Sequence, residues 1–78
     1  MQCFFVHITC ELGRTYEVAA AIADREIASE VYSVSGEYDL LAKFYIEHGQ
    51  DIGHFVAGNL HDIPGVARTV TTLTFKAF

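Results

Sequence analysis

A ferredoxin-like α+β fold, a four-stranded antiparallel sheet with two helices on one face in the order βαββαβ, is predicted by three observations. Cys3 to Cys10 alternates two apolar sets, the period of a strand, and Ile52, Phe55, Val56, Asn59, Leu60 and Ile63 recur at three and four residues, the period of an amphipathic helix. Only the two middle strands are close enough in sequence to form a hairpin, and this spacing is that of a split βαβ unit.

Each element has its own signal. In the first strand Phe4, Val6, Ile8 and Cys10 form one set and Cys3, Phe5, His7 and Thr9 the other, in a run rich in β-branched and aromatic residues. Gly13-Arg14-Thr15 breaks the run. Thr15 is suited to cap a helix with Glu17 in its first turn, where negative charge complements the macrodipole. That helix is expected to reach Arg25 or Glu26 and to bury Val18, Ala19, Ile22 and Ala23. Glu30 to Ser35 reads as the second strand and Asp39 to Glu47 as the third, with Leu40, Ala42, Phe44 and Ile46 on one side and Leu41, Lys43, Tyr45 and Glu47 on the other. The second helix follows from Ile52. Pro64-Gly65 stops it and launches the last strand, Val66 to Phe75. Glu11-Leu12-Gly13 is echoed by Glu47-His48-Gly49, in keeping with two βαβ-like halves.

The 78 residues allow one small domain, expected to fill positions 1–78 without a helix-turn-helix segment. At 51% hydrophobic residues the chain is too apolar for disorder, yet a core this small supplies only about 3–5 kcal/mol, which favours self-association. Cys3 and Cys10 stand roughly 23 Å apart on opposite faces of one strand and cannot bridge each other. No run reaches a membrane-spanning length of about 18 apolar residues, and no signal-peptide pattern opens the chain. A reduced, cytoplasmic setting is expected. The net charge of −5, with Arg14, Arg25, Lys43, Arg68 and Lys76 scattered, argues against direct nucleic-acid binding.

With both helices on one face, the other face of the sheet lacks an internal cover. Phe5, His7 and Tyr45, joined by Tyr32 and Val34 or by the alternate set of that strand, are too bulky and apolar for a wholly solvated face. A sheet-to-sheet homodimer is therefore expected.

Two motifs carry a more specific resemblance. Gly36-Glu37-Tyr38-Asp39-Leu40-Leu41 places a glycine able to adopt positive φ before an acidic residue at a strand mouth, and Gly65-Val66-Ala67-Arg68-Thr69-Val70-Thr71 opens a hydroxyl-rich strand. Together at this spacing they resemble the effector-binding RAM domain of Lrp/AsnC transcriptional regulators, in its stand-alone form. The resemblance implies sheet-to-sheet dimers assembled into rings, octamers or decamers, with a small effector, usually an amino acid, held between dimers. It also implies a full-length regulator of the family as a partner, no catalysis and no cofactor. By the same resemblance Gly36, Glu37, Tyr38 and Asp39 line the effector cleft and Thr69 and Thr71 bring hydroxyls to it. A zwitterion suits such a set, because turn N–H groups receive a carboxylate while Asp39 and hydroxyls receive an ammonium. Asp39, at a strand mouth, is expected to be replaceable without loss of the fold.

Plainer readings stand beside these. Gly36 to Asp39 also fits a hairpin turn in which Asp39 caps backbone donors, and the threonines fit an ordinary half-exposed strand. His54 and His61, two helical turns or about 10.5 Å apart, cannot share a metal from one helix, and no metal site is expected. An enzyme of this fold would need His7 paired with Asp39 or Tyr38. An oligomerisation scaffold without a ligand is the remaining alternative.

Overall fold

The strand β1 (Gln2–Cys10) runs through the middle of the sheet, and the rest of the chain is arranged around it: α1 (Thr15–Asp24), β2 (Glu30–Ser33), β3 (Leu40–Ile46), α2 (Ile52–Asn59) and β4 (Val66–Leu73). The computed structural model describes all residues, Met1–Phe78. The sheet is antiparallel with strand order β2-β3-β1-β4, so the predicted ferredoxin-like βαββαβ fold is the observed one. No helix is long and apolar enough to cross a membrane.

Register decides which residues share a face. Phe4 stands opposite Phe44, Val6 opposite Ala42 and Ile8 opposite Leu40, and these six, with Ile46, are sealed under the helices. Val18 and Ile22 of α1 and Val56 of α2 close the layer from above. Phe4 and Phe44 stack at 5.2 Å, and Phe55 meets both edge-on at 5.9 and 5.7 Å. Such pairs contribute about 0.5–1.5 kcal/mol each beyond burial.

The other set of each strand faces away from the helices. Phe5 and His7 of β1 lie beside Lys43 and Leu41 of β3, with Val70 of β4 opposite His7. The alternative left open for β2 is decided by its pairing: Tyr32 stands opposite Leu41 on this outer face, and Val31 opposite Ala42 beneath the helices. Tyr32 and Tyr45 keep 51% and 45% of their surface in solvent, an unusual aromatic load for a face that nothing in the chain covers.

Several boundaries differ from expectation for identifiable reasons. Arg14, not Thr15, is the N-cap of α1; Thr15 is already helical and no side chain caps the end. The helix stops at Asp24, and Ala23 is exposed. β2 ends at Ser33, β3 begins at Leu40, and the hairpin loop between them is closed by the Val34 N–H donating to the Asp39 carbonyl at 3.0 Å. α2 ends at Asn59, whose side chain donates to the Phe55 carbonyl at 2.9 Å, yet Leu60 and Ile63 still enter the core from successive turns. Their helical spacing reported burial, not helix. β4 loses its strand character after Leu73 because Phe4 is its last paired partner on β1.

Gly65 is the tightest joint. Its φ is +99°, and a Cβ there would lie 2.8 Å from Cγ2 of Val18, so the turn into β4 presses directly on α1.

Candidate functional site

The β1–α1 turn and the β2–β3 hairpin meet at one end of the sheet and leave a cleft of about 600 Å³ between them. Gly13, Thr15 and Tyr16 form one wall; Ser33, Val34, Ser35 and Asp39 form the other. Thr15, Tyr16, Ser33 and Ser35 bring hydroxyl groups to an otherwise largely apolar lining, and Asp39 is its only charged side chain. The nearest guanidinium, that of Arg14, is held by Glu17 at 3.0 Å and Glu11 at 3.1 Å.

Asp39 is fixed from three directions. Its backbone N–H donates to the Ile8 carbonyl at 3.0 Å, its carbonyl closes the hairpin at Val34, and its Oδ2 accepts the Cys10 N–H at 2.8 Å. A β-bulge between Thr9 and Cys10 shifts the register with β4 there. The carboxylate therefore serves as a cap, as the plainer reading held, but for a different strand rather than its own turn. Only Oδ2 accepts a hydrogen bond within the chain; Oδ1 accepts none. Burial and the neighbouring Asp39 carboxylate push the Cys10 thiol up, against a smaller opposing effect of its bond to Thr15, so Cys10 is a poor nucleophile.

The remaining expected effector residues are dispersed. Gly36, with φ +98°, and Glu37 are exposed in the hairpin loop and line no cleft with Asp39. Tyr38 turns its ring onto His7, with centroids 4.7 Å apart. Thr69 and Thr71 stand opposite Ile8 and Val6, on the helix side of the edge strand β4. Thr69 shares a hydrogen bond of 2.8 Å with His61 Nε2 in a second, smaller cleft, and Thr71 lines neither opening. Sequence reasoning missed Thr15, Tyr16, Ser33 and Ser35, because a cleft between two loops has no periodicity. The one available signal was Gly13, a turn glycine at the end of β1.

The residues expected at a sheet-to-sheet interface are less scattered: Phe5, His7 and Tyr45 all point to the helix-free face. The pairing that an enzyme would need is not formed. His7 Nδ1 is buried without a hydrogen-bond partner, it meets Tyr38 through ring contact, and the Asp39 carboxylate is bound to β1 backbone.

Comparison with known proteins places this geometry. An uncharacterized HTH-type transcriptional regulator of Pyrococcus horikoshii is 42% identical over 59 residues, which cover 76% of this chain but 39% of that protein. The chain thus spans about two fifths of the length of the curated relative it matches. A crystal structure of a Thermus thermophilus protein superposes with a TM-score of 0.89 at 35% identity, covering 100% of this chain and 98% of that one. The fold also recurs in a transcriptional regulator of Neisseria meningitidis solved in complex with L-Met, with a TM-score of 0.83 at 19% identity over 96% of this chain and 50% of that one. The family model described as the Lrp/AsnC ligand binding domain matches residues 3–78. Its members are regulatory domains rather than enzymes, and on this match the chain belongs to the Lrp/AsnC ligand binding domain family.

Proposed function

We propose that this domain senses an amino acid or a similar small metabolite and transmits its binding, through self-assembly, to transcriptional regulation. The observation that carries the reading is the position of Asp39: a carboxylate held rigidly by the Cys10 N–H, with its second oxygen free, on the wall of a hydroxyl-bearing cleft. Such a group receives an ammonium without reorganising. The uncapped start of α1, across the cleft at Thr15 and Tyr16, offers backbone N–H groups to a carboxylate. That the Neisseria meningitidis regulator was solved with L-Met supports an amino acid as the ligand class for this fold.

In this reading, two copies pack face to face through Phe5, His7 and Tyr45, and dimers close into an octameric or decameric ring. Gly36, Glu37, Tyr38, Thr69 and Thr71 complete the effector site with residues of a neighbouring dimer. Ligand contacts that exist only in the ring shift the population of assemblies, and a full-length Lrp/AsnC regulator that co-assembles with the domain supplies the DNA-binding part.

A second reading, a scaffold with no ligand, is favoured by one fact: Asp39 already has a structural role as the Cys10 cap. Thermal unfolding against each common amino acid separates the two. A ligand at 100 times its Kd adds about 2.7 kcal/mol to the native state. A selective rise supports the sensor, and the absence of any rise across the set supports the scaffold.

A further inference from the structure

We propose that the β1–α1 turn, with Leu12 and Tyr16 as its apolar contacts, is the surface on which a second copy of this chain seats to roof the Asp39 cleft. The inference rests on the sensing role proposed above and names the face of the chain that closes its site.

The cleft is open as it stands. Gly13, Tyr16, Ser33, Val34 and Ser35 are exposed along it, and only Thr15 and Asp39 are half-buried. Sites that hold small molecules bury most of the ligand's surface. Two loops give this cleft two walls, and a roof has to come from another chain.

The rim carries apolar surface that the fold does not use. Leu12, which adjoins Gly13 of the lining, is fully exposed, Tyr16 keeps 80% of its surface in solvent, and Val34 on the other wall is exposed as well. One exposed leucine means little, but three large apolar side chains around one opening mark a contact surface.

The β3–α2 turn serves as an internal comparison. Glu11-Leu12-Gly13 corresponds to Glu47-His48-Gly49, and both glycines take positive φ, +79° and +91°. Both turns are closed by the same bond, Arg14 N–H to the Glu11 carbonyl at 3.0 Å and Gln50 N–H to the Glu47 carbonyl at 3.2 Å. The turn therefore forms with a polar residue in the place of Leu12. At the same offset Tyr16 corresponds to Ile52, which packs against the core while Tyr16 stands in solvent. Neither Leu12 nor Tyr16 is required by its own turn or helix.

Charge and symmetry favour a second copy as the occupant. Arg14, the one cation of the turn, is held by Glu11 and Glu17 and is not free to recruit an acidic partner. In a chain of net charge −5, contact between copies is least opposed at uncharged residues, and Leu12, Gly13 and Tyr16 are those the turn exposes. The turn follows the last residue of β1, so it lies at the end of the sheet and leaves the helix-free face clear. A patch that meets itself across a two-fold axis needs no complement elsewhere. On a chain that also pairs through its sheet, such a second contact links dimer to dimer, the step that a closed ring requires.

Sedimentation velocity of the full chain without ligand, paired with amide hydrogen exchange, tests the contact. The wild type is expected to form species larger than a dimer. Leu12→Glu, which sets like charges against each other across the axis, should stop at dimers with unchanged far-ultraviolet dichroism. Leu12→His, the residue of the β3–α2 turn, should need at least tenfold more protein to reach the larger species. Exchange of the Thr15 and Ser35 amides, one on each wall, should slow as the larger species form in the wild type and stay fast in Leu12→Glu. A wild type no larger than a dimer, larger species that survive unchanged in Leu12→Glu, or wall amides that do not slow would each overturn the proposal. No ligand enters these readouts, so a failed amino-acid screen would count against the sensor and leave this contact standing.

Discussion

Asp39 Oδ2 accepts the backbone N–H of Cys10 at 2.8 Å, a bond between residues 29 positions apart that fastens the β2–β3 hairpin to the end of β1. It makes Asp39 part of the fold as well as of the proposed site, against the expectation that it could be removed freely.

Asp39→Ala strips a part-buried N–H of its acceptor and is expected to cost about 1–3 kcal/mol. Asp39→Asn keeps an oxygen for Cys10 and should cost under about 1 kcal/mol. Both variants should lose effector binding, because both lose the charge. Chemical denaturation paired with calorimetry reads the two effects separately; retained affinity in Asp39→Asn would return the residue to a purely structural role.

Gly65→Ala meets two penalties at once. A non-glycine residue at φ +99° costs about 1–3 kcal/mol, and a Cβ at 2.8 Å from Val18 forces α1 outward for a similar amount. A fall in Tm of about 8 °C or more is expected for a domain of this size. If the contact is the cause, Gly65→Ala should cost less in a Val18→Ala background than in the wild type, read as a double-mutant cycle.

The ion pair between Arg25 and Asp62 ties the end of α1 to the turn after α2 at 2.8 Å. The hydrogen bond from Arg25, with a smaller effect of its charge, holds the Asp62 carboxyl below the ordinary aspartate range. Because the folded value is depressed, the stabilisation is present above the unfolded value and disappears as pH falls through the folded one. The Tm difference between the wild type and Asp62→Asn should be largest near neutral pH and shrink as the pH falls below the ordinary aspartate range. Salt should shrink it, since both groups reach solvent.

Phe5→Lys places a charge at the middle of the helix-free face and leaves the core, on the opposite side of β1, untouched. Monomers are expected in sedimentation velocity, with far-ultraviolet dichroism unchanged. Dimers that persist would mean that the sheets do not meet through this face.

Element order, the helical and strand periods and the two faces of β1 and β3 were legible in the chain itself. Alternation and turn chemistry are local properties: Phe4, Val6 and Ile8 must share a side in any extended strand, and Gly36 and Gly65 mark turns wherever they stand. Element ends were less legible, as at Leu60 and Ile63, because a turn can bury residues at helical spacing. The candidate site was legible only as a set of residue types. Tertiary structure decided that Asp39 reaches Cys10, that Thr69 meets His61 across the exit of α2, that Tyr38 turns away to His7, and that a hydroxyl-bearing cleft opens beside Thr15 and Ser33. These are contacts between separate elements, set by strand register and by the angle at which loops leave the sheet, and no local pattern in sequence encodes either.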